Sequence, residues 1–124
     1  MISAPMDKKI AVVLIGVTDM QRAVEFYRSV LGLPLKFQTP NYTEFKTRGA
    51  VLALEKRDKV IGNGPCFTLP TRNIKKDRDI LQKKNARFWK ELHNEPYGWV
   101  MMPRDSEGNI FEVVQYAPPK KATK

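Results

Sequence analysis

One carboxylate interrupts an apolar strand near the end of the chain, in Ile110-Phe111-Glu112-Val113-Val114. An inward carboxylate there is costly unless it is paired. Glu112 therefore reads either as a polar anchor or proton acceptor in a pocket, or as a side chain held by a nearby basic or backbone donor. If Asp105–Gly108 closes a tight hairpin, Met101 falls opposite Glu112 and Trp99 shares its face, because strand side chains alternate. Apolar and aromatic walls around one polar group suit a small-molecule pocket; core packing or a dimer interface would use the same side chains. The single cysteine, Cys66, offers a low-pKa nucleophile near basic residues or an inert buried thiol. The single histidine, His93, has general-base chemistry available, but in Lys90-Glu91-Leu92-His93-Asn94 it reads as a strand-end surface residue.

The elements that must position these groups follow from local pattern. Ile10 to Val17 is a β-branched apolar run and reads as a strand buried on both faces. Thr18-Asp19 supplies an N-cap, with Gln21 three residues after Thr18 as in a capping box. Met20, Ala23, Val24, Tyr27 and Leu31 form one apolar helical stripe. Gly32 suits a left-handed stop, and Pro34 blocks continuation. Leu35–Gln38, Tyr42–Thr47 and Ala50–Lys56 read as strands separated by turns. After the loop Arg57–Gly64 the order repeats: strand Cys66–Pro70, a helix capped by Asn73 and running to Lys84, and a left-handed stop at Asn85. Strands Arg87–His93, Tyr97–Pro103 and Asn109–Tyr116 follow. The halves share a pattern more than residues, as an old duplication would. The expected fold is α+β, with two βαβββ modules (about 8–57 and 65–117) forming a curved mixed sheet around a cup. They make a single domain over 1–124, with 118–124 as a basic tail.

Composition narrows the class. A chain of 124 residues can bury one working core. An apolar content of 42% with 28% charged residues is ordinary for a globular domain and argues against disorder. One cysteine excludes an internal disulfide and suits a reducing compartment. Met1–Lys9 lacks the apolar stretch of a signal peptide, and no apolar run approaches the roughly 20 residues of a membrane span. A cytoplasmic protein with no membrane partner is expected. Lys+Arg 22 against Asp+Glu 13 gives a net charge of +9, which concentrates anionic partners. The lysines look scattered, however, and some lie in the tail (Lys120, Lys121, Lys124). There is no recognition-helix pattern, RNP-like motif or glycine-arginine repeat. A solvated basic surface is expected, and nucleic acid is not the expected partner.

Two segments carry a family resemblance. Val17-Thr-Asp-Met-Gln-Arg-Ala-Val-Glu-Phe-Tyr-Arg-Ser-Val-Leu-Gly32 resembles the opening V-x-D-hydrophobic, FY, LG signature of the glyoxalase/bleomycin-resistance/dioxygenase (vicinal oxygen chelate) superfamily. Arg104-Asp-Ser-Glu-Gly-Asn-Ile-Phe-Glu-Val-Val-Gln-Tyr116 resembles its closing D-P-D-G-N-x-x-E signature, and Tyr97-Gly98-Trp99 the aromatic-glycine step before it. The resemblance spans Ile10 to Tyr116 and implies the cupped double-βαβββ fold. In metal-dependent members four inward His or Glu side chains hold a divalent ion that acts as a Lewis acid. Those positions fall here on Val12, about Ala53, Cys66 (or Pro65) and Glu112. One carboxylate and one thiol do not make a hard-metal site, so no metal and no cofactor are expected.

The resemblance also places Cys66 in the cup. It places Tyr42, Phe45, Phe37 and Arg48 on strands that often line it, on faces that only register can settle. The resulting expectation is a metal-independent small-molecule-binding protein, not an enzyme. It would bind or sequester an aromatic or anionic compound, as a homodimer with clefts between chains. The expected ligand-binding residues are Glu112, Trp99, Met101, Cys66, Phe45, Tyr42 and Arg48. One alternative is a metal-dependent lyase, isomerase or dioxygenase using Glu112 with Cys66 or His93. A second is a basic interaction module.

Overall fold

In the computed structural model, residues 8–60 and 65–118 are described; residues 61–64 of the midpoint loop and 119–124 of the basic tail lie outside them. The opening apolar run forms β1 (Val12–Val17), with Val13, Ile15 and Val17 in the core. Asp19 caps helix α1 (Met20–Glu25), its carboxylate accepting the Arg22 N–H at 3.0 Å. The expected capping box does not form, because Thr18 turns to a partner in the other half of the chain. Beyond Glu25 the helix widens into a π-helical segment, Phe26–Val30, in which the Leu31 N–H reaches back to the Phe26 carbonyl at 3.1 Å. Both Phe26 and Tyr27 are buried there. Gly32 stops the helix at φ +72, the left-handed conformation glycine adopts without steric cost.

Strands β2 (Leu35–Gln38), β3 (Tyr42–Phe45) and β4 (Val51–Lys56) complete the first module. They pair in the order β1-β4-β3-β2, with β1 and β4 parallel and the rest antiparallel. The second module repeats the plan with β5 (Pro65–Pro70), α2 (Ile74–Lys83), β6 (Arg87–Glu95), β7 (Gly98–Arg104) and β8 (Ile110–Tyr116). Its order is β5-β8-β7-β6. Asn73 caps α2 through the Lys76 N–H at 3.2 Å, and Asn85 (φ 62) ends it. The fold is the expected α+β double βαβββ.

One apolar cluster joins the modules. Ile15, Val17, Phe45, Leu52 and Leu54 of the first sheet meet Met101, Phe111 and Val113 of the second, with Val24 from α1, Tyr27 from its π-helical extension, and Ile74 and Leu81 from α2. Both sheets thus turn their helix-bearing faces to a shared interior. Their opposite faces stay open, and no cup closes among the described residues. This corrects the reading of β1 as buried on both faces: Val12 and Leu14 are each 44% exposed on the open side.

A second correction concerns register. The turn Asp105–Asn109 has one residue more than a hairpin closed at Gly108, and Arg104 pairs with Ile110. Met101 therefore pairs with Val113, and Met102 takes the place opposite Glu112. A slip of one residue moves a side chain to the other face. Met101 is fully buried in the shared core, and Trp99 lies on the helix side beside Lys75. Gly98 permits the close crossing at the start of β7. Its φ is +148, and a Cβ there would sit 2.2 Å from the Gln115 carbonyl oxygen.

Candidate functional site

The two signature segments meet at the junction of the modules. Tyr27 donates its buried hydroxyl to Asp105 Oδ2 at 2.7 Å. Asp105, 2% exposed, also accepts the N–H groups of Glu107 and Asn109, each at 2.8 Å, and the Asn109 amide at 3.1 Å. The same Asn109 amide reaches the Gly16 carbonyl on β1 at 3.0 Å. Glu107 accepts the Thr18 hydroxyl at 2.7 Å, the Asp19 N–H at 3.0 Å and Arg22 Nη2 at 3.1 Å. A buried carboxylate with every lone pair engaged holds structure together. These motif residues form a clasp and leave little capacity for a substrate.

The other polar side chains of interest stand on or near the open faces. On the second sheet Glu112 lies beside Thr68, its register partner, and accepts that hydroxyl at 2.9 Å. Its other oxygen accepts the Tyr97 hydroxyl at 3.2 Å. Tyr97 immediately precedes β7, its carbonyl accepting the Ala117 N–H at 2.8 Å and its ring lying 6.5 Å from that of Tyr116. Partial burial and the Glu112 carboxylate both raise the Tyr97 phenol above its ordinary pKa. His93 shares this face through its pairing with Val100; its Nε2 lies 2.9 Å from Glu95 and its Nδ1 2.7 Å from the Glu91 carbonyl. Cys66 is exposed at the β5 end. Burial pushes its thiol up, and the Asp105 charge adds to this. That is the wrong direction for the low-pKa nucleophile considered above.

The open face of the first sheet carries Tyr42, which donates to Glu44 at 2.6 Å and lies 5.9 Å from the Phe37 ring. The Tyr42 hydroxyl and then Lys36, at 3.4 Å, hold the Glu44 carboxyl below its ordinary range. Arg57 pairs with Glu55 at 3.1 Å and folds over Gly16, where a Cβ would meet it at 2.8 Å. Val12, Leu14 and Ala53 complete this wall by register.

The fold therefore disperses the expected ligand-binding set. Glu112 stands on one open face and Tyr42 on the other, while Cys66 lies in the irregular stretch of β5 between Pro65 and Thr68, electrostatically coupled to Tyr27 and Asp105. Phe45 and Met101 are core residues; Phe45 packs 5.9 Å from the Tyr27 ring. Trp99 lies at the helix-side rim, and Arg48 is exposed in the turn between β3 and β4. Thr68 and Tyr97, which hold Glu112, were not singled out as site residues. The irregularity in β5 between Pro65 and Thr68 hides Thr68 from simple alternation, and nothing local indicates that Tyr97 reaches back.

Of the four positions of the family's metal ligands, Val12, Ala53 and Glu112 lie on open faces by register, and Cys66 falls in the irregular stretch of β5. Two of these side chains are aliphatic, and Glu112 is already engaged by Thr68 and Tyr97. Among the described residues no group of three or more His, Cys, Asp or Glu is placed to hold an ion. This donor set does not fit a catalytic divalent site.

Comparison with known proteins agrees with this geometry. The chain resembles TnmS3, an antibiotic-binding protein from Streptomyces sp. CB03234, with a TM-score of 0.74 and 21% identity over 93% of this chain and 100% of that one. It resembles a lactoylglutathione lyase from Agrobacterium tumefaciens, with a TM-score of 0.75 and 19% identity over 90% and 96%. A glyoxalase/bleomycin resistance protein/dioxygenase from Nocardioides superposes with a TM-score of 0.71 and 17% identity over 100% and 91%. At these identities the likeness establishes the fold. No curated protein sequence matches the chain. Among the described residues no helix is long and apolar enough to cross a membrane. The family model of the Glyoxalase/Bleomycin resistance protein/Dioxygenase superfamily matches residues 9–113, and with both signature segments clasped in a double βαβββ fold the chain belongs to that superfamily.

Proposed function

We propose that this is a metal-independent small-molecule-binding protein that works as a homodimer. The open sheet faces of two copies would together wall a cleft for a neutral aromatic compound. The observation that carries this reading is the chemistry of those faces. They expose Val12, Leu14, Phe37, Tyr97 and Tyr116, around polar groups already held in place by hydrogen bonds. Such walls suit a flat apolar ligand with one or two polar substituents. The net positive charge favours an anion only at long range; the walls themselves carry Glu44, Glu55 and Glu112. The presence of an antibiotic-binding protein among the similar structures is consistent with the reading. In this reading the protein works in the cytoplasm, which its single cysteine supports.

The test is a thermal-shift screen of aromatic compounds, followed by calorimetry and by elemental analysis of protein purified without chelators. A hit weakened about tenfold or more by Tyr116→Ala and by Glu112→Gln, with under about a tenth of an equivalent of metal, supports the reading; tenfold corresponds to about 1.4 kcal/mol. A full equivalent of a divalent ion that disappears in Glu112→Ala overturns it in favour of a metal-dependent lyase, isomerase or dioxygenase.

A further inference from the structure

The net charge is concentrated in one stretch. From Arg72 to Lys90 the chain carries eight Lys or Arg against Asp77 and Asp79, which is +6 of the total +9. Folding gathers that stretch into α2 and the start of β6. Ile74 and Leu81 of α2 are buried against the sheet, and Lys75, Lys76, Lys83 and Lys84 face solvent. Asp77 is turned to the Thr71 hydroxyl, and Arg78 is matched by Glu91 at 2.8 Å. A groove of about 600 Å³ runs between the helix and the strand, lined by Lys75, Arg78, Asp79, Glu91 and Leu92. At its edge Lys75 Nζ sits 5.9 Å from the centroid of the Trp99 ring, which is 40% exposed. A second exposed indole on β6, Trp89, has Lys90 Nζ at 5.1 Å, but Lys90 pairs with Met102 and so belongs to the opposite face of the sheet.

We propose that this outer face of the second module, α2 with β6, docks single-stranded nucleic acid. The groove itself is charge-balanced, and the excess charge is on the lysines of α2 beside the exposed Trp99 ring; ammonium groups that track phosphates while bases stack on an aromatic plane are the general combination of sequence-tolerant single-strand binding. An anionic membrane is a poorer fit, because a surface-lying helix needs an outward apolar face. The large apolar residues of α2 point inward, apart from the partly exposed Ile80. An acidic protein would use the charge but has no call on the indole. The α2 lysines and Trp99 lie on the helix side, away from the open faces described above.

The test is fluorescence anisotropy of labelled dT20 and U20 with the intact chain between 50 and 200 mM salt. Three to four phosphate contacts predict a slope of about −2 to −3 in log K against log salt. Lys75→Ala/Lys76→Ala is expected to reduce the slope by about 1.4. Trp99→Ala is expected to weaken binding about fivefold or more at every salt concentration. Arg28→Ala/Lys46→Ala removes the same charge from the first module and is expected to change little. Absence of binding at 50 mM salt overturns the proposal. So does equal loss in the Arg28/Lys46 variant, or competition by inorganic polyphosphate with Trp99→Ala silent, which would mean charge attraction alone. Tighter binding to phosphatidylserine vesicles or to polyglutamate than to either oligonucleotide also overturns it.

Discussion

Tyr27 is one phenol on one helix, yet it bridges residues 78 positions apart. Burial first, and the Asp105 carboxylate it bonds second, push its pKa well above the ordinary phenol range, so the hydroxyl remains a donor across the working pH range. Tyr27→Phe removes one of the donors to a carboxylate that water does not reach. The expected loss is about 1–3 kcal/mol of folding stability, the usual cost of leaving a buried polar group short of a partner, read as a lowered urea midpoint with an unchanged slope. An unchanged midpoint would mean that Asn109 and the turn N–H groups satisfy Asp105 without help. Both residues were visible in the sequence as parts of signatures. Their partnership was not, because a motif records residue types and not which distant group each one meets.

At the level of elements, the clasp through Glu107 ties the start of α1 to the β7–β8 turn. Burial alone would raise the Glu107 carboxyl, but the hydrogen bonds from Thr18, Asp19 and Arg22 outweigh it and hold the pKa below its ordinary 4.5. A group lowered in the folded state contributes stability that is fully present above its unfolded value and is lost as pH falls through the folded value. Thermal stability is therefore expected to fall from about pH 4.5 downward, with less of that acid-side drop in Glu107→Gln, which is also less stable at pH 7. Parallel acid-side curves for the two proteins would remove Glu107 as a source of acid sensitivity. Turn length also acts at this scale. One residue in Asp105–Asn109 decides whether Met101 or Met102 stands opposite Glu112. Alternation along β7 was legible in the sequence; the face was not, because the count depends on where the ladder closes.

Across the whole molecule, the helix sides of the two sheets share one core, and the open sides lie outside it, with Ala53, Val100 and Val114 buried there. Val12 and Leu14 are the apolar residues of β1 that this arrangement leaves in water, although the run reads as a strand covered on both faces. A second copy supplies the missing cover in the proposed dimer. Sedimentation equilibrium at tens of micromolar is expected to give a dimer, and Leu14→Lys to weaken it by tenfold or more, because a lysine buried at an apolar contact must be desolvated. Leu14 lies outside the shared core, so the variant should keep its circular dichroism. A wild-type monomer at that concentration would remove the inter-chain cleft.

Local pattern alone determined the order of elements, their limits to within a few residues, the left-handed stops at Gly32 and Asn85, and family membership. Each of these rests on neighbours in the chain: apolar period, capping, and the φ freedom of glycine and asparagine. Tertiary structure decided which face each strand buries, that the signature residues build a clasp, and that the expected pocket residues divide between core, rim and two open faces. It also decided that the lysines following Arg72 gather on one side of the molecule. Those outcomes depend on register and on contacts between the two halves, which are set only when the sheets pack around their common interior.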